Sequence, residues 1–473
     1  MRFANVREIA RSILSAALWQ YFILPIVSSS TNRVLDLQSS NAQTPLFRKV
    51  REVARVCQGR SGRALVVGGW VRDALLGLSP KDADVEVYGM QPEELRRALQ
   101  KLGRVGCVGE SFRVYKLTWH EDNLRYELDV SIPRRDRKTG DGHKGFEIEG
   151  DPFASVEDAA RRRDFTLNAI LCDPLSGEIL DPFGGQRDLE KRTLRAVDAT
   201  HFGEDSLRVL RAMQFGARFD LEVDEQTTAI CRAIDLRDLP RERVWGEWEK
   251  LLLNAEHPSR GLLVAQELRV LEQLHPYLET ALQRRGDLLC AALDKAAIEK
   301  NVLDKPRQIA LMLATIGSFL GWKSTRQFLD DLNIHTLDGY DIRKNVILLV
   351  GERKRARDWF RREECGNRVL DKEFRWLSAR VQPRMVGHLN RSRGDIEAAE
   401  WFWNRVRELG VEDEPPASLL MGRHLLEMGL KPGPQIGQVT QTVYAAQLAG
   451  DVSTLDEARE CAHRVLERME ETR

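Results

Sequence analysis

The hydrophobic pattern of residues 65–87 predicts a strand, a turn, a helix and a second strand in succession. An apolar run at 65–67 ends at a Gly-Gly pair, and helical spacing begins at Trp70. The second strand follows Ser79 and Pro80, and side chains two residues apart in a strand share a face. We therefore expect three acidic side chains to point in one direction, those of Asp82, Asp84 and Glu86.

The flanking segments continue this mixture of helices and strands. Their spacing predicts helices at 45–57 and 92–102, and strands at 104–108, 114–119 and 125–132. In the last strand Glu127, Asp129 and Ser131 share a face. From residue 261 onward the apolar positions follow helical spacing. The pattern therefore predicts an α+β first part followed by an all-helical second part.

The acidic residues and the glycine pair indicate phosphate chemistry when they are taken together. Clustered carboxylates repel one another unless a cation lies between them, and Mg²⁺ is usually held by one or two carboxylates plus substrate phosphates. Glycines between a strand and a helix let backbone N–H groups approach an anion closely. Either feature alone is most often a plain turn or a solvated strand end. Their succession within about a dozen residues predicts metal-assisted phosphoryl or nucleotidyl transfer.

The same residues resemble the head of the class II nucleotidyltransferases, which include the CCA-adding tRNA nucleotidyltransferases and the bacterial poly(A) polymerases. The family patterns Gly-Gly-x-Val-Arg-Asp and Asp-x-Asp occur at 68–73 and 82–84. The resemblance implies a polymerase-beta-like nucleotidyltransferase head with a mixed sheet. It implies that Asp82 and Asp84 are catalytic and bind Mg²⁺, and it places four further residues in the nucleotide site, Gly68, Gly69, Arg72 and Asp73.

Two further features accompany the predicted strand at 125–132. Family heads place a third acidic residue on such a strand, and the resemblance assigns this catalytic role to Asp129, with Glu127 as the alternative. A basic, glycine-containing loop follows at 133–144, and its composition indicates mobility. We expect it to become ordered on the nucleotide or on the RNA 3′ end, and a plain solvated loop is the alternative.

Residues 161–169 resemble the family motif Arg-Arg-Asp-Phe-Thr-x-Asn-Ala almost letter for letter. An arginine cluster beside a carboxylate can hold phosphate and ribose while the carboxylate orients one arginine. The resemblance places Arg163, Asp164 and Asn168 in the nucleotide site. A predicted hairpin follows, with strands at 169–172 and 178–180, and leads to a hinge between head and neck.

The sequence Glu-Asp-Ser-Leu-Arg-Val-Leu-Arg at 204–211 opens a predicted helix. Asp205 and Arg208 are three residues apart and are expected on one face, either as an exposed ion pair or as a pair that reads the base. A carboxylate and a guanidinium together can accept cytosine or adenine and reject uracil and guanine. The match to the family pattern Glu-Asp-x-x-Arg-x-x-Arg implies this second role, with Glu204 and Arg211 in support. A bracing role is expected for the neck residues Glu242, Arg243 and Glu247.

The helical second half departs from the family in one place and is basic in another. Many relatives carry a His-Asp metal-phosphohydrolase domain here, but the corresponding residues are Ala314 and Thr315, so no second metal activity is expected. Residues 352–362 are basic with interleaved aromatic residues, and either contact tRNA phosphates or form a solvated, salt-bridged helix. The turn at 429–434 could bind an RNA phosphate or be a plain capped turn.

Composition limits the class of protein. The chain has 473 residues, with totals of 72 for both Lys+Arg and Asp+Glu, and its length suits about three domains. Because the net charge is zero, any RNA-binding surface must come from a local excess of basic residues. The seven cysteines are scattered without a Cys-x-x-Cys pair, which favours reduced thiols over a disulfide framework or a zinc site.

The N-terminal extension, residues 1–42, has arginines before an apolar run at 13–27 and looks like a signal peptide. Export would separate an enzyme of this kind from nucleoside triphosphates and tRNA. We therefore expect a non-essential extension or an over-long translation start, a cytoplasmic protein, and no membrane partner. The expected domains after it are the head at 43–195, a helical neck at 196–260, a helical body at 261–410 and a helical tail at 411–473.

The expected function is template-independent addition of CMP and AMP, from CTP and ATP, to the 3′ end of tRNA, with Mg²⁺ as cofactor and pyrophosphate as product. Enzymes that add only CC, only A or poly(A) share these motifs and are alternatives. An alternative of another class is a non-catalytic RNA-binding protein on the same fold. The intact acidic pair counts against it, since a binding protein has no need of that electrostatic repulsion.

Overall fold

A computed structural model describes residues 35–36, 43–80, 82–108, 114–138 and 146–471 of the chain. The expected N-terminal extension, apart from residues 35 and 36, and residues 139–144 of the expected basic loop lie outside these ranges. No helix in the described ranges has the length and apolar composition needed to cross a membrane.

The strands are numbered in chain order: β1 (Arg63–Val67), β2 (Asp84–Tyr88), β3 (Arg104–Val108), β4 (Val114–Glu121), β5 (Leu124–Ser131), β6 (Arg134–Lys138), β7 (Phe146–Gly150), β8 (Leu171–Cys172), β9 (Ile179–Leu180), β10 (Thr193–Leu194), β11 (Glu222–Val223), β12 (Thr336–Leu337) and β13 (Tyr340–Asp341).

The α-helices are numbered in the same way: α1 (Pro45–Gln58), α2 (Gly69–Leu75), α3 (Pro92–Leu99), α4 (Val156–Arg161), α5 (Gly185–Glu190), α6 (Leu207–Arg218), α7 (Glu225–Ala233), α8 (Arg241–Asn254), α9 (Pro258–Glu267), α10 (Val270–Leu274), α11 (Pro276–Glu299), α12 (Lys305–Leu320), α13 (Trp322–Asp331), α14 (Ile342–Gly351), α15 (Arg355–Glu364), α16 (Asp371–Ser378), α17 (Pro383–Ser392), α18 (Ile396–Glu408), α19 (Gly422–Glu427), α20 (Pro434–Ala449) and α21 (Leu455–Glu471).

The chain divides into two compact units. The first, which we call the sheet unit, contains Met1–Pro133 and Leu171–Leu180. The second, which we call the helical unit, contains Arg134–Ile170 and Asp181–Arg473. The sheet unit is therefore completed by a short return of the chain, which adds the hairpin of β8 and β9.

A seven-stranded mixed sheet lies at the centre of the sheet unit, in the order β3-β4-β5-β2-β1-β8-β9. β2 and β5 run parallel, and the other neighbouring pairs run antiparallel. The hairpin of β4 and β5 turns through Asp122 and Asn123, with φ values of 50° and 63°, as a two-residue type I′ turn requires. This turn sets a register in which Lys116 lies opposite Asp129.

One face of this sheet is covered by helices. α1 packs on β1 and β5 and against α3, because its apolar residues recur at helical spacing. Phe47 of α1 stacks on Trp70 with ring centroids 4.6 Å apart. Val85 and Val130 are fully buried, so the residues that alternate with them in β2 and β5 point to the opposite face.

The elements expected in the sheet unit are present with small shifts at their ends. The strand expected to carry both Asp82 and Asp84 begins at Asp84, so Asp82 lies in the irregular segment before it. The helix expected at 92–102 ends at Leu99. The mixed α+β head is therefore confirmed.

The prediction of a loop at 133–144 is wrong for its first half. Residues Arg134–Lys138 form β6, which pairs antiparallel with β7. The charged composition predicted a loop, but a charged segment forms a strand when its backbone groups find partners on another strand. That partner, at Phe146–Gly150, is separated from β6 in the sequence and was not identified from it.

The helical unit is built around α12. This helix packs against α11, α14 and α17. Ala314 and Thr315 lie in its fully buried middle, and the Thr315 hydroxyl donates to the carbonyl of Leu311 at 2.8 Å. Three short strand pairs, β6 with β7, β10 with β11 and β12 with β13, interrupt the otherwise helical fold in the described part of this unit. The last pair lies after residue 261, so the expectation of an all-helical second part is correct only in outline.

The aromatic residues of the basic segment 352–362 contribute to the protein interior. Trp359 is 7% exposed and packs edge-on against Phe374, with ring centroids 4.7 Å apart. Phe402 lies on the other side at 6.1 Å. The interleaved aromatic residues therefore form part of a core between α15, α16 and α18 rather than a stacking platform for bases.

The tail has a hydrophobic cluster of its own. It joins α19, α20 and α21 through buried apolar side chains, namely Leu420, Leu425, Val439, Val443, Val452, Ala458 and Ala462. The expected turn at 429–434 lies between α19 and α20, with Gly429 at φ 92°. The positive φ explains the glycine, since L side chains rarely adopt it.

Candidate active site

Neighbouring strands of the sheet unit bring the glycine turn and two carboxylates together. Val67, the last residue of β1, pairs with Asp84, and Asp84 pairs with Asp129. Paired residues on adjacent strands lie about 5 Å apart and point to the same face. Asp84 is exposed, and the Asp129 side chain is 45% exposed. Gly68 follows Val67 directly, so the turn begins beside this pair.

Lys116 is a candidate site residue that the sequence prediction did not include. Its Nζ lies 3.0 Å from Glu127 Oε2 and 3.9 Å from Asp129 Oδ1. The hydrogen bond to Glu127 and then the charge of Asp129 raise the pKa of Lys116, and the same hydrogen bond lowers the pKa of Glu127. The hairpin could have revealed this residue, because counting outward from the turn at Asp122 and Asn123 pairs Lys116 with Asp129.

Glu86 does not join the exposed carboxylates. It is 2% exposed, and it accepts a hydrogen bond from the Tyr88 hydroxyl at 3.0 Å. A buried carboxylate needs such a partner, and here the chain supplies it two residues further on. The expectation of three acidic side chains presented together is therefore wrong for Glu86. Asp82 and Asp84 are both exposed, and their common direction stays a prediction.

The carboxylate oxygens of Asp82, Asp84 and Asp129 are ligands of the kind that bind a divalent cation. Within the described ranges, no three or more His, Cys, Asp and Glu side chains are grouped so that they could hold a metal ion by themselves. Mg²⁺ needs only one or two carboxylates when phosphates and water complete its shell. Asp84 and Asp129 on adjacent strands, with Asp82 two residues earlier, supply hard oxygen donors of that kind.

The glycine motif forms a compact turn. Gly68 has φ 70° and ψ −131°, a conformation that L side chains rarely adopt. A Cβ added to Gly69 would meet Arg72 Nη2 at 3.3 Å. Arg72 is 4% exposed, and its Nη2 lies 2.6 Å from Asp73 Oδ1. Arg72 thus lies against the turn, where Asp73 holds it.

In the helical unit, Asp164 is the centre of a buried network. Its Oδ1 accepts hydrogen bonds from the backbone N–H of Phe165 at 2.8 Å and from Asn168 Nδ2 at 2.9 Å. Its Oδ2 lies 2.7 Å from Arg211 Nε on α6. The carboxylate orients an arginine, as expected, but that arginine is Arg211 and does not belong to the run at 161–163. Arg163 itself is half-buried.

The structure corrects the expected helical pairing of Asp205 with Arg208. α6 begins at Leu207, so Asp205 precedes the helix and the spacing rule for helical neighbours does not apply to it. The Asp205 carboxylate instead binds Arg243 Nη2 at 3.0 Å. Arg208 donates to backbone carbonyls, including that of Arg162 at 2.8 Å. Arg243, expected only as a brace in the neck, is therefore the residue that orients Asp205.

The other neck residues make bracing contacts. Glu247 is 4% exposed, and its Oε1 lies 2.7 Å from Lys250 Nζ. Glu242 accepts a hydrogen bond from Asn333 Nδ2 at 3.3 Å. Glu204 is half-buried in the short 3₁₀ helix Phe202–Glu204.

Two family matches cover parts of the chain that carry some of these residues; Glu204, Asp205, Arg208 and Arg211 lie between the two matched segments. Residues 64–195 match the poly A polymerase head domain. Residues 220–282 match the family described as a probable RNA and SrmB-binding site of polymerase A. The first match includes the carboxylate pair and Asp164 with Asn168, but not Arg211, and it confirms the resemblance to a nucleotidyltransferase head.

The curated relatives are similar to this chain over its first half. The multifunctional CCA protein of Stenotrophomonas maltophilia is 38% identical over 221 residues, which is 45% of this chain and 51% of that protein. The protein of the same description from Azoarcus sp. is 39% identical over 223 residues, which is 46% of this chain and 50% of that protein. The chain thus spans about half the length of the curated relatives it matches.

Solved structures extend the likeness to most of the fold. The CCA-adding enzyme of Bacillus stearothermophilus, in complex with CTP, covers 91% of this chain and 100% of its own, with a TM-score of 0.67 and 20% identity. The Thermotoga maritima CCA-adding enzyme, complexed with tRNA, covers 92% of this chain and 99% of its own, with a TM-score of 0.59 and 20% identity. The chain therefore has the fold of these enzymes.

Proposed function

We propose that this protein is a template-independent nucleotidyltransferase that adds CMP and AMP, from CTP and ATP, to the 3′ end of tRNA and releases pyrophosphate. The observation that carries the proposal is the strand register that sets Asp84 beside Asp129 at the start of the Gly68 turn. Two adjacent exposed carboxylates beside a backbone turn are suited to metal-assisted transfer from a triphosphate.

The site residues predicted for the sheet unit have the following proposed roles. Asp82 and Asp84 would hold Mg²⁺, with Asp129 as an auxiliary ligand or base. When bound, the metal supplies Lewis-acid stabilisation of the triphosphate and lowers the pKa of the attacking 3′ hydroxyl. Gly68 and Gly69 bind phosphate oxygens through their backbone N–H groups. Further support for the site comes from Arg72 and Asp73, which hold the turn.

The helical unit supplies base selection in this proposal. Asp205 accepts from the exocyclic amino group of cytosine or adenine, and uracil and guanine present a carbonyl there instead. Arg243 holds the Asp205 carboxylate in place, and Arg208 is fixed by backbone carbonyls. Arg211 orders this region through Asp164. Ribose and phosphate contacts are assigned to Arg163, and Asn168 holds Asp164 in position.

The relatives and neighbours support tRNA as the acceptor. The curated relatives are described as multifunctional CCA proteins, and one structural neighbour is described as complexed with tRNA. Both substrates of this reaction are cytoplasmic, so the proposal includes a cytoplasmic location. Addition of only CC, only A or poly(A) uses the same residues, and these outcomes are separated by experiment.

The decisive experiment supplies tRNA that lacks the whole CCA end, tRNA that lacks CA and tRNA that lacks only the final A. Each is incubated with Mg²⁺ and one nucleoside triphosphate at a time, and the added nucleotides are read on a sequencing gel. We expect two CMP residues on the first substrate, one on the second after CTP, and one AMP on the third. Extension by AMP alone into a long tail, or no extension of any substrate, would contradict the proposal.

Base selection has its own test. We expect Asp205→Ala to add UMP or GMP where the unchanged protein adds CMP, because the acceptor for the amino group is gone. Binding of Mg²⁺ should be unchanged, since Asp205 belongs to the helical unit. Arg243→Ala should show the same loss more weakly, because Asp205 keeps its charge and loses only its orientation. An Asp205→Ala variant with unaltered preference for CTP and ATP would contradict the assignment.

A further inference from the structure

Lys116 lies in a row of paired residues that crosses three strands of the sheet unit. It pairs with Asp129 of β5, and Asp129 pairs with Asp84 of β2. Paired residues on adjacent strands lie about 5 Å apart and point to the same face of the sheet. The row therefore places one lysine beside two carboxylates that the proposed function assigns to a divalent cation.

The Lys116 ammonium contacts two carboxylates of β5. Its Nζ lies 3.0 Å from Glu127 Oε2 and 3.9 Å from Asp129 Oδ1. The other oxygen of Glu127, Oε1, lies 2.5 Å from Arg125 Nη2. Glu127 thus has two cationic partners, whereas within the described ranges Asp129 forms an ion pair with Lys116 alone. Glu127 holds the ammonium next to Asp129.

This group of charges is balanced and accessible. Arg125 and Lys116 supply two positive charges against the two negative charges of Glu127 and Asp129, so the group is neutral without a metal. The four side chains are between 37% and 64% exposed. Exposed ion pairs contribute little to the free energy of unfolding. The contact between Lys116 and Asp129 can therefore be broken without loss of the fold.

An ammonium and a divalent cation compete for the same carboxylate. A lysine side chain has three N–H donors and no acceptor, so at Asp129 it acts only as a positive charge. Mg²⁺ carries twice that charge and binds carboxylate oxygens at about 2.0–2.1 Å, much closer than the ammonium lies. A positive charge beside the carboxylate also repels an arriving cation. Lys116 therefore opposes cation binding at Asp129.

We propose that Lys116 is a positioning residue that balances the charge of Asp129 in the metal-free protein and is displaced when Asp129 takes part in binding a divalent cation. The role of Asp129 as an auxiliary ligand rests on the proposed function. Lys116 keeps this carboxylate charged and directed along the row, and it lowers the affinity for the cation. Glu127, the alternative third acid, is the residue that retains the displaced ammonium.

The test measures binding of Mn²⁺ to the full chain by electron paramagnetic resonance, without nucleotide or RNA. Lys116→Met removes the ammonium and keeps a long side chain, and Lys116→Arg keeps the charge. The control Arg48→Met removes the same charge from α1, where Arg48 pairs with Glu121. Each protein is also unfolded in urea to verify that it is stable.

A second pair of proteins determines whether the effect passes through Asp129. Lys116→Met is combined with Asp129→Asn, and the double variant is compared with Asp129→Asn alone. If Lys116 acts on the cation through this carboxylate, the two substitutions must not be additive. The Mg²⁺ concentration that gives half-maximal nucleotide addition to tRNA is measured for the proteins that keep Asp129.

We expect Lys116→Met to bind Mn²⁺ on the order of fivefold to tenfold more tightly, as Coulomb's law in water gives for one charge a few ångströms from a divalent cation. Lys116→Arg and Arg48→Met should bind Mn²⁺ like the unchanged protein. In the Asp129→Asn background, Lys116→Met should increase the affinity much less. The Mg²⁺ concentration for half-maximal addition should fall in Lys116→Met by the same factor as the Mn²⁺ dissociation constant.

Three results would overturn the inference. An unchanged Mn²⁺ affinity of Lys116→Met would show that the contact is an ordinary surface ion pair. An equal gain in the Asp129→Asn background would assign the effect to net charge rather than to Asp129. Weaker binding of CTP with an unchanged Mn²⁺ affinity would assign Lys116 to the triphosphate. Failure of the proposed function is distinguishable, because no protein would then add nucleotides to tRNA while the Mn²⁺ titration still reports on Lys116.

Discussion

The motif aspartates of the two units have opposite surroundings, although both pairs come from equally clear sequence motifs. Asp82 and Asp84 in the sheet unit are exposed. Asp164 and Asp188 in the helical unit are 7% and 1% exposed. Asp188 accepts a hydrogen bond from the Thr166 hydroxyl at 2.8 Å, as Asp164 does from its own neighbours. The first pair is exposed to solvent, and the second accepts hydrogen bonds within the protein.

A family motif therefore contains two kinds of carboxylate, exposed and buried, that the sequence does not distinguish. A carboxylate that must exchange ligands during a reaction has to keep access to solvent. A carboxylate that is buried must have its hydrogen bonds supplied by the protein, since an unpaired buried charge is costly. Burial therefore separates residues that contact substrate from residues that position them. Substitution of the exposed Asp84 should affect activity, and substitution of the buried Asp164 should affect stability.

The largest expected effect belongs to the sheet unit. Asp84→Ala should lower nucleotide addition on the order of a hundredfold or more, because a metal ligand worth several kcal/mol in the transition state is removed. The free energy of unfolding should stay unchanged, because the side chain is exposed. Single-turnover extension of tRNA lacking CCA and urea unfolding measure the two quantities. Undiminished addition by this variant would refute the proposed site.

The next effect belongs to the helical unit. Asp164→Ala should lower the free energy of unfolding by about 2 to 3 kcal/mol, because it leaves the buried donor of Asn168 without its acceptor and Arg211 without its ion-pair partner. Urea unfolding followed by circular dichroism measures it. Asp235→Ala is a matched control, since this exposed carboxylate pairs with Arg237 and its removal should leave stability unchanged. Equal stability of both variants would contradict the bracing role.

The smallest expected effect is a pH dependence of the free energy of unfolding that comes from the helical unit. His275 is buried, and burial lowers its pKa from an ordinary value of 6.5, against the opposing effect of Asp331. Below pH 6.5 the unfolded chain takes up a proton that the native protein does not. The free energy of unfolding should therefore fall as pH decreases, by up to about 1.4 kcal/mol per pH unit.

The contribution of the sheet unit to the free energy of unfolding should change only in stronger acid. The hydrogen bond from Lys116 lowers the pKa of Glu127 from its ordinary value of 4.5, so this contribution is present above that pH and is lost as pH falls below it. Urea unfolding of the unchanged protein and of His275→Gln between pH 7.0 and 5.5 tests the assignment to the helical unit. In His275→Gln the free energy of unfolding should no longer fall with decreasing pH over this range. An identical pH dependence in both proteins would rule out His275 as its source.

Much of the sheet unit could be predicted from local pattern. The strands, the glycine turn and the hairpin follow from alternation and turn chemistry, and the hairpin turn at Asp122 and Asn123 even encodes the pairing of Lys116 with Asp129. The helical unit was less predictable. Its arginines and acids are frequent and mutually attractive, and spacing along one helix does not identify partners on another. The pairings of Asp164 with Arg211 and of Asp205 with Arg243 were missed for this reason.

By itself, the sequence determined which residues could perform the chemistry: a glycine turn, two aspartates two residues apart, and a third on a later strand. Tertiary structure alone decided which of them are adjacent. The parallel pairing of β2 with β5 sets Asp84 beside Asp129 across a separation of 45 positions, and such pairing depends on burying a common apolar face rather than on local preference.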